Sequence, residues 1–321
     1  MGSARHISWS FSQEQLHRHC PRAFFWDYFP WGEPEERVAR YLSKVTSLDQ
    51  LSGLILHNSI VLGLRQYQHI RVIPADLAER AVAKLHRQIS MSRAFADSIK
   101  LGKRPPTAEC VLDGHLYGGH TDTDLRVAEA MIRDGLTNLT SSELWKVIRS
   151  VRRRDWLEVE TNTCASRHVL GGTKLGLPQG FRIYTAFDFG VKVNGGLHLI
   201  DWKAGRFSEP AEALAIRQLT GYSLWAFDQG SDPSAVTIQP AFLGETPPAW
   251  APVPVRSEVL TQVKEGIARH HEMLTERLAV ERLTNRRSQY IAQRGAFSKT
   301  SCASRCVACK YRALCHPKGL N

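Results

Sequence analysis

The segment FRIYTAFDFGVKVNGGLHLIDWK, residues 181–203, constrains the fold more than any other stretch. Its two arms have the apolar alternation of strands, and Asn-Gly between such arms marks a tight β-hairpin. If Asn194 and Gly195 form the loop, Val193 pairs with Gly196, and counting outward places Asp188 opposite Asp201. Side chains so paired have Cβ atoms about 5 Å apart. Lys203, two residues beyond Asp201, points to the same face. Phe187, Phe189, Ile200 and Trp202 face the other way and are expected to be buried against a helix. Like charges opposed across two strands repel, so a cation is expected between the two acids.

Paired carboxylates offer hard oxygen ligands, which suit Mg²⁺ or Mn²⁺. An ion there can bind a phosphate oxygen and acidify a coordinated water. The adjacent Lys203 can orient or deprotonate that water and counter transition-state charge. The plainer alternative makes Asp201 and Lys203 a surface ion pair and puts Asp188 in a turn.

Around the hairpin the pattern alternates between helix and strand. Helices are expected over 11–29, over 47–69 with Ser47 and Gln50 as a capping box, and over 75–100. Residues 101–135 read as irregular, and TSSELWKVIRSVRRR as a basic helix with a Thr140/Glu143 capping box. WLEVETNTC and AVTIQPAFLG read as strands, SEPAEALAIRQLTGYSLWAFDQG as a helix capped by Ser208, and the run from Ser257 to Leu283 as one long helix. At 321 residues, 43% of them hydrophobic, the chain can bury a sizeable α/β core. No apolar run reaches the roughly 18 residues of a membrane span, and no secretory leader is evident, so a cytoplasmic protein is expected.

A formal charge of +11 favours a polyanionic partner such as nucleic acid. Lys146, Arg149, Arg152, Arg153 and Arg154 form one cluster, and the C-terminal third carries many more basic residues. Of seven cysteines, Cys302, Cys306, Cys309 and Cys315 lie near the C-terminus at metal-ligand density. Alone, those four could form a zinc knuckle.

Five short motifs, in order, resemble the PD-(D/E)XK nucleases, and specifically their RecB-type exonuclease branch. They are CPRAFFWDY at Cys20, GLILHNSI with His57, Asp188 with Asp201-Trp202-Lys203, QLTGY from Gln218 to Tyr222, and Cys306-x2-Cys309-x5-Cys315. The resemblance extends to members with an iron–sulfur cluster, among them the CRISPR adaptation nucleases, the AddB nuclease domain and exonuclease V. It implies a restriction-endonuclease-like mixed β-sheet core flanked by helices, with a helical N-terminal region and a C-terminal cysteine segment. It implies one nuclease domain over 1–321, with 70–155 as a helical insertion and 296–321 as a cysteine-rich tail joined to Cys20. It implies His57, Asp188 and Asp201 as ligands of Mg²⁺ or Mn²⁺, and Lys203 as the residue that positions water. Gln218 and Tyr222 would support the site, and Cys20, Cys306, Cys309 and Cys315 would hold a [4Fe–4S] cluster.

The activity so implied is metal-dependent hydrolysis of DNA, as an exonuclease on single strands or ends, in repair, recombination or defence. DNA is the implied partner, with room for a helicase or other protein, and no membrane. Two rivals stand beside it: a non-catalytic DNA-binding subunit that keeps the cluster (or zinc), and a sequence-specific double-strand endonuclease. HLYGGHTDTD, with His115, His120, Asp122 and Asp124, could hold a second metal but reads more simply as a polar loop, and Glu158 and Glu160 as strand-edge charges.

Overall fold

A computed structural model describes residues 7–100, 111–159, 168–171, 176–177, 182–193, 195–245, 251–282 and 288–315. In chain order the N-terminal elements are β1 (Ser8–Trp9), α1 (Phe11–His19), α2 (Pro21–Tyr28), α3 (Glu36–Leu42), β2 (Val45–Thr46), α4 (Leu48–Ile70), α5 (Leu77–Lys100), β3 (Val111–Leu112), α6 (Asp113–Tyr117), α7 (Asp122–Ser141) and α8 (Glu143–Ser150). There follow β4 (Trp156–Val159), β5 (His168–Gly171), β6 (Arg182–Thr185), β7 (Phe189–Val193), β8 (Gly196–Lys203), α9 (Glu209–Asp228), β9 (Val236–Phe242), β10 (Val253–Pro254), α10 (Ser257–Arg277), β11 (Leu278–Arg282), β12 (Ser288–Ala292), α11 (Ala303–Val307) and α12 (Arg312–Cys315). They divide into two units: Thr46–His168 with Thr185–Thr261, and Met1–Val45 with Val169–Tyr184 and Gln262–Asn321.

The first unit is built on a five-stranded mixed sheet of order β10-β9-β8-β7-β4. Its hairpin has the expected register, Val193 opposite Gly196 and Phe189 opposite Ile200. Gly195 turns the chain at φ +79°, a left-handed conformation that glycine adopts without steric cost. β8 then pairs in parallel with β9, which sets Lys203 beside Phe242. A parallel pair needs a crossover, and α9 supplies it. Phe189, Val191, Ile200 and Trp202 pack in one core with Leu51 and Ile55 of α4, Ile132 and Leu136 of α7, and Trp145 and Ile148 of α8. The Ser47/Gln50 capping box starts α4 as expected. Gly135 lets α7 approach α4 closely, because a Cβ there would lie 2.5 Å from the Leu56 side chain. Helices on a mixed sheet make this the expected α/β class.

The second unit holds a three-stranded sheet of order β1-β6-β5 and the β11–β12 hairpin. Phe24, Phe25 and Phe29 of the α2 region surround Phe297, with ring centroids 5.6–6.4 Å apart. Backbone and side-chain bonds join the same two segments: Arg22 donates through its amide to the Ser298 carbonyl and through Nε to the Phe297 carbonyl. His270 on α10 is buried beside His17 and Phe24, and burial pushes both imidazoles down to about 4.

Local expectations failed where a distant strand partner, a proline or a competing cap overrode the simple pattern. FRIYTAFDFGVKV is not one strand: β6 pairs in parallel with β1, Trp9 opposite Ile183, and β7 begins only at Phe189. Between them the Asp188 amide donates to the Ile200 carbonyl while its carboxylate accepts from the Trp202 amide. The 11–29 helix breaks at Cys20, whose extended backbone (φ −159°, ψ 106°) is what a residue before Pro21 favours. The stretch read as irregular contains α7, which starts on a Thr121/Asp124 capping box. Thr140 does not cap α8; its hydroxyl donates back to Leu136, and Ser142 is the cap. The long C-terminal helix stops at Arg277, because Leu278–Arg282 pairs with Ser288–Ala292. Among the described residues no helix is long and apolar enough to cross a membrane.

Candidate active site

The hairpin register carries Asp188 and Asp201 to the same end of the sheet, one step past the Phe189–Ile200 pair. Both residues are buried, at 6% and 4% exposure, which no solvent-facing ion pair would show. Asp188 is held by the main chain: its Oδ2 accepts from the Trp202 amide at 2.6 Å. His57 Nδ1 lies 3.4 Å from the same oxygen. One turn before His57, α4 runs past the end of β8: a Cβ added at Gly53 would lie 3.4 Å from the Cβ of Ala204, an ordinary van der Waals contact.

Asp201 is answered by Lys203, whose Nζ stands 2.6 Å from Oδ2. The pair is not aligned as a hydrogen bond, and Oδ2 accepts none. Instead the ammonium donates to Gln218 Oε1 at 2.7 Å, and Gln218 Nε2 donates to the Tyr222 hydroxyl at 2.8 Å. Gln218 and Tyr222 share a face of α9 through their i, i+4 spacing. All six candidate residues thus form two linked sets, His57–Asp188 and Asp201–Lys203–Gln218–Tyr222, joined through the adjacent Trp202 amide. The role of that amide has no signal in the sequence, since it depends on how the Asp188 side chain turns back onto the neighbouring strand.

Among the described residues, no three His, Cys, Asp or Glu side chains stand at single-metal spacing. The donor types still fit a hard divalent cation: two buried carboxylates, one with an oxygen that accepts no hydrogen bond, and one imidazole. Lys203 now supplies the positive charge that Asp201 requires.

Cys20, Cys306, Cys309 and Cys315 line one pocket with Lys299, Arg305, Tyr311 and Arg312. Burial pushes the Cys309 thiol up to about 11, helped by the proximity of Cys20, Cys315 and Cys306. The Tyr311 amide donates to Cys309 Sγ at 3.4 Å, and the Tyr311 hydroxyl donates to Asp27. Cys302 does not line that pocket; its thiol is lowered by the Ser304 hydroxyl and the Arg305 amide. Cys110 and Cys164 lie outside the described residues.

The HLYGGHTDTD stretch is accounted for by local structure. His120 Nε2 lies 3.0 Å from Asp113 Oδ1, His115 Nδ1 is bonded to the Ser92 hydroxyl at 2.8 Å, and the Asp124 carboxylate accepts from the Thr121 amide in the capping box of α7. Glu158 is on β4 opposite Gly190, and Glu160 lies outside the described residues. Arg149, Arg152, Arg153 and Arg154 are exposed. Several C-terminal basic residues serve internal contacts: Lys299 binds the Cys315 carbonyl, Arg305 the His19 carbonyl, and Lys310 the Asp27 carboxylate.

No curated protein matches the sequence. The profile of the PD-(D/E)XK nuclease superfamily does, over residues 8–316. With a mixed sheet that carries two acids and a lysine at one end, and a match across nearly its whole length, the chain belongs to the PD-(D/E)XK nuclease superfamily.

Proposed function

We propose that this nuclease is a metal-dependent DNA exonuclease of the RecB-type branch, acting on single strands or frayed ends in repair, recombination or defence. The observation that carries the reading is the buried Asp201 oxygen that accepts no hydrogen bond and faces the Lys203 ammonium. Nucleases of this superfamily work with Mg²⁺ or Mn²⁺. His57, Asp188 and Asp201 would hold such an ion, with the Trp202 carbonyl as a further oxygen donor. When bound, the ion supplies Lewis acidity to the phosphate and a more acidic water. The protein's own part is positioning. Trp202 fixes the Asp188 carboxylate, and Gln218 fixes the Lys203 ammonium. Lys203 orients the attacking water and offsets charge as a new P–O bond forms and the bond to the leaving sugar oxygen breaks.

The four cysteines that share one pocket support the iron–sulfur reading over a zinc knuckle, since the knuckle would need Cys302. We read 70–155 as an insertion in a single nuclease domain, and 296–321 as a tail tied to Cys20. The exposed arginines at 149–154 would follow phosphates.

The test is cleavage of an end-labelled single strand by protein purified without air. A ladder of products is expected with Mg²⁺ or Mn²⁺, and none with EDTA. DNA binding without cleavage under either metal would favour a non-catalytic subunit, and discrete fragments from a plasmid would favour a restriction-type enzyme.

A further inference from the structure

Three exposed apolar side chains lie within four residues of members of the candidate site. Leu54 lies one helical turn before His57 on α4 and is 56% exposed. Leu214 lies one turn before Gln218 on α9 and is 47% exposed. Phe207 follows Lys203 by four residues and is 38% exposed. Scattered exposed hydrophobics are ordinary, but these come from three separate elements and each neighbours a different residue of one site.

Phe207 is the best placed of them. Its ring sits edge-on to Phe242, with centroids 5.6 Å apart. Phe242 pairs in register with Lys203 on the adjoining strand, and neighbouring strands lie about 4.8 Å apart. Phe207 therefore packs on the residue that pairs with Lys203 across the sheet, at the end of the strand that bears Asp201 and Lys203. Its position is fixed: the Phe207 amide donates to Glu245 Oε1 at 3.1 Å, and Ser208 caps α9 immediately after it. The ring is packed against Phe242 and the residue keeps 38% of its surface exposed. The preceding residue, Arg206, is exposed and has no ion pair among the described residues.

We propose that Phe207 is a positioning residue that stacks on one unpaired base beside the scissile phosphate, with Arg206 on the neighbouring phosphate. This rests on the nuclease reading and names its substrate class, a single strand. Every base has a π-face, so an aromatic platform holds a strand without regard to sequence, and a paired base inside a duplex cannot present that face. The guanidinium adds the phosphate contact that a stacked nucleotide requires.

The test has two arms. In cleavage, Phe207→Ala is expected to lower kcat/KM on a single strand by about tenfold to a hundredfold, and Phe207→Trp to retain activity. On a strand with one abasic site beside the scissile phosphate, wild type and Phe207→Ala should cleave alike. In binding, full-length Lys203→Ala protein is titrated with strands carrying 2-aminopurine at successive positions. One position should show a fluorescence change that Phe207→Ala removes and Phe207→Trp keeps. An equal loss on intact and abasic strands, or a fluorescence pattern indifferent to position 207, would overturn the stacking. If wild type cleaves nothing, the nuclease reading falls and the fluorescence arm still decides the role of Phe207.

Discussion

Lys203→Ala is expected to slow phosphodiester cleavage by about a thousandfold, the middle of the range for losing one group that stabilises charge or moves a proton. Binding of a single strand should change little, because Lys203 is one cation among many in a chain of net charge +11. The reason for so large an effect is placement. The ammonium is 27% exposed, stands 2.6 Å from a buried carboxylate oxygen, and is held by Gln218, itself held by Tyr222. A surface ion pair would contribute almost nothing on removal. Single-turnover cleavage with enzyme in excess separates the two: a rate within threefold of wild type would make Lys203 a structural partner of Asp201 and nothing more.

Phe189→Ala is expected to destabilise the protein by about 4 kcal/mol. Phe189 is fully buried, its ring meets Trp156 edge-on at 4.9 Å and lies stacked near Trp202 at 6.4 Å. It pairs with Ile200, one residue along each strand from the two acids, so the cavity would open in the core next to the end of the hairpin that bears them. A loss of that size is a large share of the roughly 5–15 kcal/mol that holds a typical domain folded. Urea unfolding followed by tryptophan fluorescence should show a clearly lowered midpoint, and a shift worth less than about 1 kcal/mol would mean that the packing relaxes around the gap.

The hairpin was legible because its signal is local. Asn-Gly between alternating arms sets a register, and the register pairs Phe189 with Ile200, which leaves Asp188 and Asp201 as the next residues at that end of the two arms. The helices with strong caps, at Ser47 and Ser208, were legible for the same reason. What failed depended on distant partners. Nothing in FRIYTAFDFGVKV announces that Arg182–Thr185 pairs with Ser8–Trp9, far away in sequence. LAVER reads as the end of a helix until its partner strand is known. α7 was hidden by composition: Asp, Thr and Gly suggest a loop, yet Leu125, Ala128, Ile132, Leu136 and Leu139 keep a helical period. In the site, residue types pointed to the chemistry, whereas the Trp202 amide, the Gly53–Ala204 contact and the Phe242 register came only from the assembled sheet.

The account depends on Asp188 and Asp201 jointly holding a divalent cation, and calorimetric titration of Mn²⁺ into the wild-type protein and its Asp188→Asn and Asp201→Asn variants tests this most directly. One ion is expected to bind the wild type, with affinity reduced at least tenfold by either substitution. Equal Mn²⁺ affinity in all three proteins would contradict it.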